Sequence, residues 1–206
     1  ITYSAIDTER FVSYVATDNY LAGQLAAEAM GKLLNGKGRI ALVATQPGGA
    51  STMEREQGFE DKIKQYFPEI EIVDKRFGMS DYAKSREVAE NMLTAHPGLD
   101  ALFASNESGT VGASQALKSR QSSVKLVGFD WSPALESDLK AGTISALVVQ
   151  NPFKMGYESV KAALLKINGG APPKINNLAP RLVTLENLSD PEVQEQVNPD
   201  LKKYLQ

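Results

Sequence analysis

Apolar positions along the chain fall into two alternating rhythms. Short runs rich in β-branched and aromatic residues occupy 11–17 (FVSYVAT), 39–44 (RIALVA), 69–76, 99–104 (LDALFA), 124–129 (VKLVGF) and 144–149 (ISALVV). Such runs, too short for helices and bounded by polar punctuation, read as strands. Between them the apolar residues recur at helical spacing. In 20–34, Leu21, Leu25, Ala26, Ala29 and Leu33 make one stripe. Further helices are predicted after the 46–52 loop as far as 67, and over 81–95, 109–119, 133–140 and 153–167. A short strand at 181–185 (RLVTL) and a polar tail over 190–206 with a weak helical pattern complete the chain.

The punctuation supports these elements. Asp18-Asn19 precedes the first helix, and Asn35-Gly36 ends it. Ser51 with Glu54 three residues on predicts a capping box, and Ser80 predicts the cap of the 81–95 helix. Ser132-Pro133 and Asn151-Pro152 open the next two, since proline suits the first helical position. Gly169-Gly170 closes the 153–167 helix. Strands alternating with helices over 39–150 predict an α/β fold: an open parallel sheet with helices on both faces.

In such a sheet the carboxyl ends of the strands share one edge, where ligands bind. Arg55, Asn106, Asp130 and Gln150 each follow a strand end, directly or one loop later. They are therefore expected to converge on one concave surface. A carboxylate, a guanidinium and two amides suit a polyhydroxyl ligand. Each also has a plainer reading. Asp130 could cap the following helix; Asn106 and Gln150 could serve as loop or cap residues. Arg55, placed in a helical first turn where the dipole disfavours a cation, could pair with Glu54 or Glu56 on the surface. Trp131 could offer an aromatic face to a sugar ring or pack at the rim of the core. Gln57, Asp61 and Lys64 lie opposite the Phe59 and Ile63 stripe and read as a solvated face.

Composition narrows the chemistry. The 206 residues are 42% hydrophobic and 23% charged, enough for a substantial core. A net charge of −3 argues against a nucleic-acid surface. Absent cysteine excludes disulfides and thiolate metal sites, and no apolar run is long enough to span a bilayer. One histidine, His96 at a helix end, leaves little material for a catalytic triad or a metal centre. The 48–52 loop (GGAST) lacks the lysine of a phosphate-binding loop. No enzyme activity and no cofactor are expected. The chain opens with Ile1-Thr2-Tyr3-Ser4, which reads as the inside of a strand without a leader or an initiator Met, so the expectation is a chain that is processed, cut, or recorded from partway along a longer protein.

Five stretches, in order, resemble the type I periplasmic sugar-binding proteins of ABC transporters, the ribose-binding group in particular. They are 15–23 (VATDNYLAG), 54–59 (EREQGF), 93–97 (LTAHP), 127–130 (VGFD) and 148–152 (VVQNP). The resemblance covers the chain to about residue 185 and implies a two-lobed fold that closes on a sugar about a hinge. On that comparison 1–17 is a remnant of the first lobe and hinge, and 18–150 is the second lobe. Segment 151–178 is a first-lobe helix and linker, and 179–206 is a hinge return strand and tail. Most of the first lobe is then absent. The positions of Arg55, Asn106, Asp130 and Gln150 match sugar-binding positions of the family. Three other positions depart from it: Tyr3 stands where a sugar-binding Asp is usual, Ser80 where the ribose binders have an aromatic, and Trp131 where a small residue is usual. The implied ligand is therefore a monosaccharide or similar polyol rather than ribose in particular.

The implied role is the non-catalytic binding component of a bacterial ABC importer, periplasmic or lipid-anchored outside the cytoplasm, working with a membrane permease. The alternative is the effector-binding domain of a lactose-repressor-type transcription regulator. In the 153–167 helix, Phe153, Tyr157, Val160, Leu164 and Ile167 share one face. That face is expected to be exposed and to promote self-association or to take a companion chain.

Overall fold

The computed structural model describes residues 10–203. Its elements in chain order are β1 (Tyr14–Thr17), α1 (Asn19–Leu33), β2 (Lys37–Ala44), α2 (Ala50–Tyr66), β3 (Glu69–Phe77) and α3 (Tyr82–Ala95). There follow β4 (Ala101–Ala104), α4 (Glu107–Ser119), β5 (Lys125–Phe129), α5 (Pro133–Lys140), β6 (Ala146–Val149) and α6 (Pro152–Ile167). The chain continues with β7 (Ile175–Leu178), β8 (Arg181–Val183), α7 (Pro191–Val197) and a 3-10 turn at Leu201–Lys203. The expected strand at 1–4 lies outside the described residues.

Six strands form one sheet in the order β3-β2-β4-β5-β6-β8, parallel except for β8 at the edge, which runs antiparallel to β6. Alternation along the central strands sends consecutive residues to opposite faces. Ile40, Leu42, Phe103, Val127 and Phe129 pack under α1 and α2. Ala41, Val43, Leu102, Ala104 and Leu126 pack under α3, α4 and α5. Both faces are covered, as an unbroken apolar strand requires. β1 and β7 form a separate parallel pair, where Val15 and Leu178 share a small cluster with Met155 of α6.

Several boundaries differ from the sequence reading for identifiable reasons. The predicted capping box does not form. Gly48 turns the chain at φ 87°, Gly49 takes the cap position, and α2 starts at Ala50, before Ser51. Arg55 therefore sits in the second helical turn, not the first, and the dipole objection to it lapses. Ser80 does not cap α3. It holds a positive φ of 56°, and the side chain of Asp81 accepts the Lys84 amide instead. Asp18, Ser132 and Asn151 cap their helices as the sequence implies.

α6 is covered only lightly, with Met155 its one buried residue among those described. Tyr157, Val160, Leu164 and Ile167 are exposed, whereas Phe153, placed on the same stripe by its spacing, is half-buried. No helix among the described residues is long and apolar enough to cross a membrane.

Two glycines set the approach of α1 to α2, and with it the position of Arg55. A Cβ on Gly23 would lie 1.9 Å from the Arg55 carbonyl oxygen, and one on Gly58 would lie 2.1 Å from that of Tyr20. Backbone atoms cannot yield as a side chain does. Replacing glycine by alanine in a helix gains up to about 1 kcal/mol of propensity. The clash, at about 1–3 kcal/mol or more, outweighs it. Gly58→Ala is expected to lower unfolding free energy by about 2 kcal/mol in a urea titration; an unchanged midpoint would show that the helices have room to part.

Candidate functional site

The sheet order reverses direction between β2 and β4, and the loops leaving their carboxyl ends open a crevice. A cleft of about 340 Å³ there is lined by Arg55, Ser80, Asn106 and Asp130, among others. A second, of about 550 Å³, is lined by Asp130, Trp131, Gln150, Pro152 and Phe153, with Gln196, Val197 and Leu201 of the tail. Asp130 and Glu107 line both, so the two clefts meet at that carboxylate.

Asp130 follows β5 directly with a φ of 71°, a left-handed conformation that Asp tolerates better than most side chains. Its amide donates to the Val148 carbonyl at 2.9 Å. Its Oδ2 accepts the Glu107 amide at 3.0 Å, at the start of α4. The capping reading of Asp130 thus holds for a different helix: α5 is capped by Ser132, and Asp130 meets the positive end of α4. Oδ1 accepts from Gln150 Nε2 at 2.6 Å. A carboxylate has about four acceptor sites, so two such bonds leave capacity toward the cleft.

Arg55 is 3% exposed. Its Nε donates to Asn19 Oδ1 at 2.9 Å and its Nη1 to the Ser105 carbonyl at 3.1 Å. The guanidinium lies over the Phe129 ring, 4.3 Å from its centroid, and Nη1 is 4.0 Å from Asp130 Oδ2. The surface reading of Arg55 is set aside by this burial. Glu56 turns the other way. Its Oε1 accepts from the Thr45 amide at 3.0 Å and Ser105 Oγ at 2.9 Å, and its Oε2 lies 3.1 Å from Lys75 Nζ. It ties α2 to the ends of β2 and β4 one residue from Arg55. Burial alone would lower the Lys75 ammonium, but bonds from Glu60 and Glu56 hold it above its ordinary value.

Asn106 performs the cap chemistry open to it. Its Oδ1 accepts the Gly109 amide at 2.9 Å, and its Nδ2 donates to Ser108 Oγ at 3.0 Å, while the residue lines the smaller cleft. Gln150, 7% exposed, accepts from Thr17 Oγ1 at 2.9 Å through Oε1. Trp131 is half-buried, packed against the cluster on the α3–α5 face and lining the larger cleft. Ser80 lines the smaller one, and Tyr3 lies outside the described residues. His96 caps α3, with Nε2 3.1 Å from Asp74 Oδ2, away from both clefts. Among the described residues, no group of three or more His, Cys, Asp or Glu is placed to hold a metal ion.

Sequence reasoning missed Tyr82, the tail residues and the buried polar residues Thr17, Asn19, Glu56 and Ser105. Tyr82, an exposed aromatic at the first position of α3, carried the one readable signal.

A family model described as a periplasmic binding protein domain matches residues 1–171. The ribose import binding protein of Salmonella typhimurium is 30% identical over 153 residues, 74% of this chain and 51% of that protein. A carbohydrate transporter solute binding protein from Agrobacterium radiobacter, in complex with D-arabinose, superimposes with a TM-score of 0.91 at 29% identity, over 96% of this chain and 69% of that one. An ABC transporter solute binding protein from Agrobacterium vitis with bound D-fucose gives the same TM-score of 0.91, identity and coverage. The chain spans about half the length of the curated relatives it matches.

The Glu56 network yields a test of what fixes the strand ends. Glu56→Ala leaves the buried Thr45 amide without its acceptor, at about 1–3 kcal/mol, while Ser105 Oγ can turn to Thr45 Oγ1, 2.9 Å away. Urea unfolding is expected to show a loss of about 2 kcal/mol. Glu56→Gln keeps an acceptor oxygen for these donors and leaves Lys75 paired with Glu60, so it should cost under about 1 kcal/mol. Equal losses from the two would mean that the ion pair, not the hydrogen bonds, holds the strand ends.

Proposed function

Because the chain belongs to the periplasmic binding protein domain family, we propose that it is the sugar-binding component of a bacterial ABC importer, holding a monosaccharide or similar polyol in the crevice at Asp130. One observation carries this reading: Arg55, Asn106 and Asp130 line one cleft, and Gln150 is hydrogen-bonded to that same carboxylate. The arrangement fits hydroxyl groups. A carboxylate with unused acceptor sites, an edge of a guanidinium and two amides offer charge-assisted bonds to groups that both donate and accept. Trp131 and Tyr82 supply apolar ring faces beside them, against which the C–H face of a pyranose or furanose packs. Ser80 adds a hydroxyl.

The chain binds and does not catalyse, which agrees with a single histidine and no cysteine. Residues 18–150 form the lobe that carries the crevice. The described residues of 1–17 and 151–178 belong to the hinge and the opposing lobe, and those of 179–206 to the hinge return strand and tail. The separate β1–β7 pair and the lightly covered α6 support this division. The exposed stripe Tyr157, Val160, Leu164 and Ile167 then meets a second copy of the chain or a companion chain. Closure of the lobes over the sugar would report occupancy to a membrane permease. The site of action is the periplasm or, with a lipid anchor, the outer face of the membrane. The regulator-type alternative gains nothing from the relatives above, whose names are those of import and transport proteins.

Calorimetry or NMR titration of the chain with D-ribose, D-arabinose and D-fucose tests the reading. At least one sugar is expected to bind, with a Kd of about 1 mM or tighter. Asp130→Ala is expected to weaken it at least about tenfold, the loss of one charge-assisted bond. No response to any sugar, or binding undiminished by that substitution, contradicts it.

A further inference from the structure

Thr17 and Asn19 are 3% and 2% exposed, and neither lines either of the two clefts, yet Asp130 and Arg55 are both held through them. Asp130 requires a donor, so the Gln150 amide presents Nε2 to it at 2.6 Å. That leaves Gln150 Oε1 facing inward, where Thr17 Oγ1 donates to it at 2.9 Å. Arg55 Nε requires an acceptor, so Asn19 presents Oδ1 to it at 2.9 Å. That leaves Asn19 Nδ2 facing the Thr17 carbonyl, to which it donates at 3.0 Å. Each amide is matched at both ends, and the opposite flip would set a carbonyl oxygen against a carboxylate or an N–H against an N–H.

We propose that Thr17 and Asn19 are positioning residues of the binding site. Thr17, through its hydroxyl and its carbonyl, anchors two amide relays that aim the Asp130 carboxylate and the Arg55 guanidinium into the crevice. This rests on the sugar-site reading for its consequence, though not for its geometry. Thr17 is the last residue of β1, held opposite Leu178 in the two-stranded sheet and outside the six-stranded sheet that carries the site. A displacement of β1 against the main sheet would therefore disturb both charged groups together.

Two measurements test it, one without sugar. Nitrogen-15 spectra of the chain read the Gln150 Nε2 and Arg55 Nε protons directly. Both are expected to exchange slowly with water. Thr17→Val should abolish the protection of the Gln150 amide and Thr17→Ser should restore it, while Asn19→Ala should abolish that of Arg55 Nε–H. Thr17→Ala carries the same reading as the valine variant if valine crowds β1. Unchanged exchange in the valine or alanine variant overturns the proposal whether or not any sugar binds. The second measurement is titration with D-arabinose and D-ribose. Thr17→Val should weaken binding about tenfold and Thr17→Ser by no more than about twofold, the scale of one buried hydrogen bond. Thr17→Val combined with Gln150→Ala should bind no more weakly than Gln150→Ala alone; additive losses overturn the relay. Failure of the wild-type chain to bind any sugar would sink the functional reading and leave the spectral test decisive for this one.

Discussion

The site depends on a buried guanidinium and a half-buried carboxylate that do not lock onto each other. Arg55 Nη1 stands 4.0 Å from Asp130 Oδ2, within strong Coulombic reach but beyond hydrogen-bonding distance. At an effective dielectric constant of 20, two unit charges so spaced attract by about 4 kcal/mol. A bidentate contact at shorter range would have let the two groups satisfy each other and close the crevice. Here each is held from behind. Asn19, the Ser105 carbonyl and the Phe129 ring secure the guanidinium. The Glu107 amide and Gln150 secure the carboxylate. On the reading proposed above, a sugar would meet a guanidinium and a carboxylate whose positions are already fixed, so little ordering would be left for binding to accomplish.

The sheet makes this possible. Parallel strands deliver their carboxyl ends to one edge, and the reversal between β2 and β4 opens a gap at that edge. Close contact of α1 with α2, which only glycine at 23 and 58 permits, brings Arg55 down onto Phe129. The stacked rings of Phe59 and Phe103, 4.0 Å apart, fill the space beneath. The charged pair thus stands on a closely packed apolar floor.

Much of this was legible along the chain, for a local reason. Arg55, Asn106, Asp130 and Gln150 are polar residues that interrupt apolar runs or follow them by one loop, and a parallel topology converts that position into convergence. Thr17 and Ser105 also end apolar runs, but their roles, like that of Asn19, lie in bonds to distant residues that spacing cannot show; Thr17 meets Gln150 across 133 positions. β7 was missed because its sequence, INNL, lacks an apolar alternation: it pairs with β1 alone, and Leu178 is its one buried residue. The capping box failed on backbone grounds, since Gly48 and Gly49 offered an earlier helix start than the Ser51 side chain. Asp130 lies beside a helix N-terminus, but the helix it serves is α4, which leaves the neighbouring strand β4, not α5, which follows it in the chain.

The most direct test of the central claim is hydrogen–deuterium exchange on the chain with and without saturating D-arabinose or D-ribose. Four separate segments are expected to gain protection together: those around Arg55, Asn106, Asp130 and Gln150, with the start of α4 foremost because its first amide bonds to Asp130. Protection confined to one of these segments, or falling elsewhere in the chain, would contradict a single site built from all four.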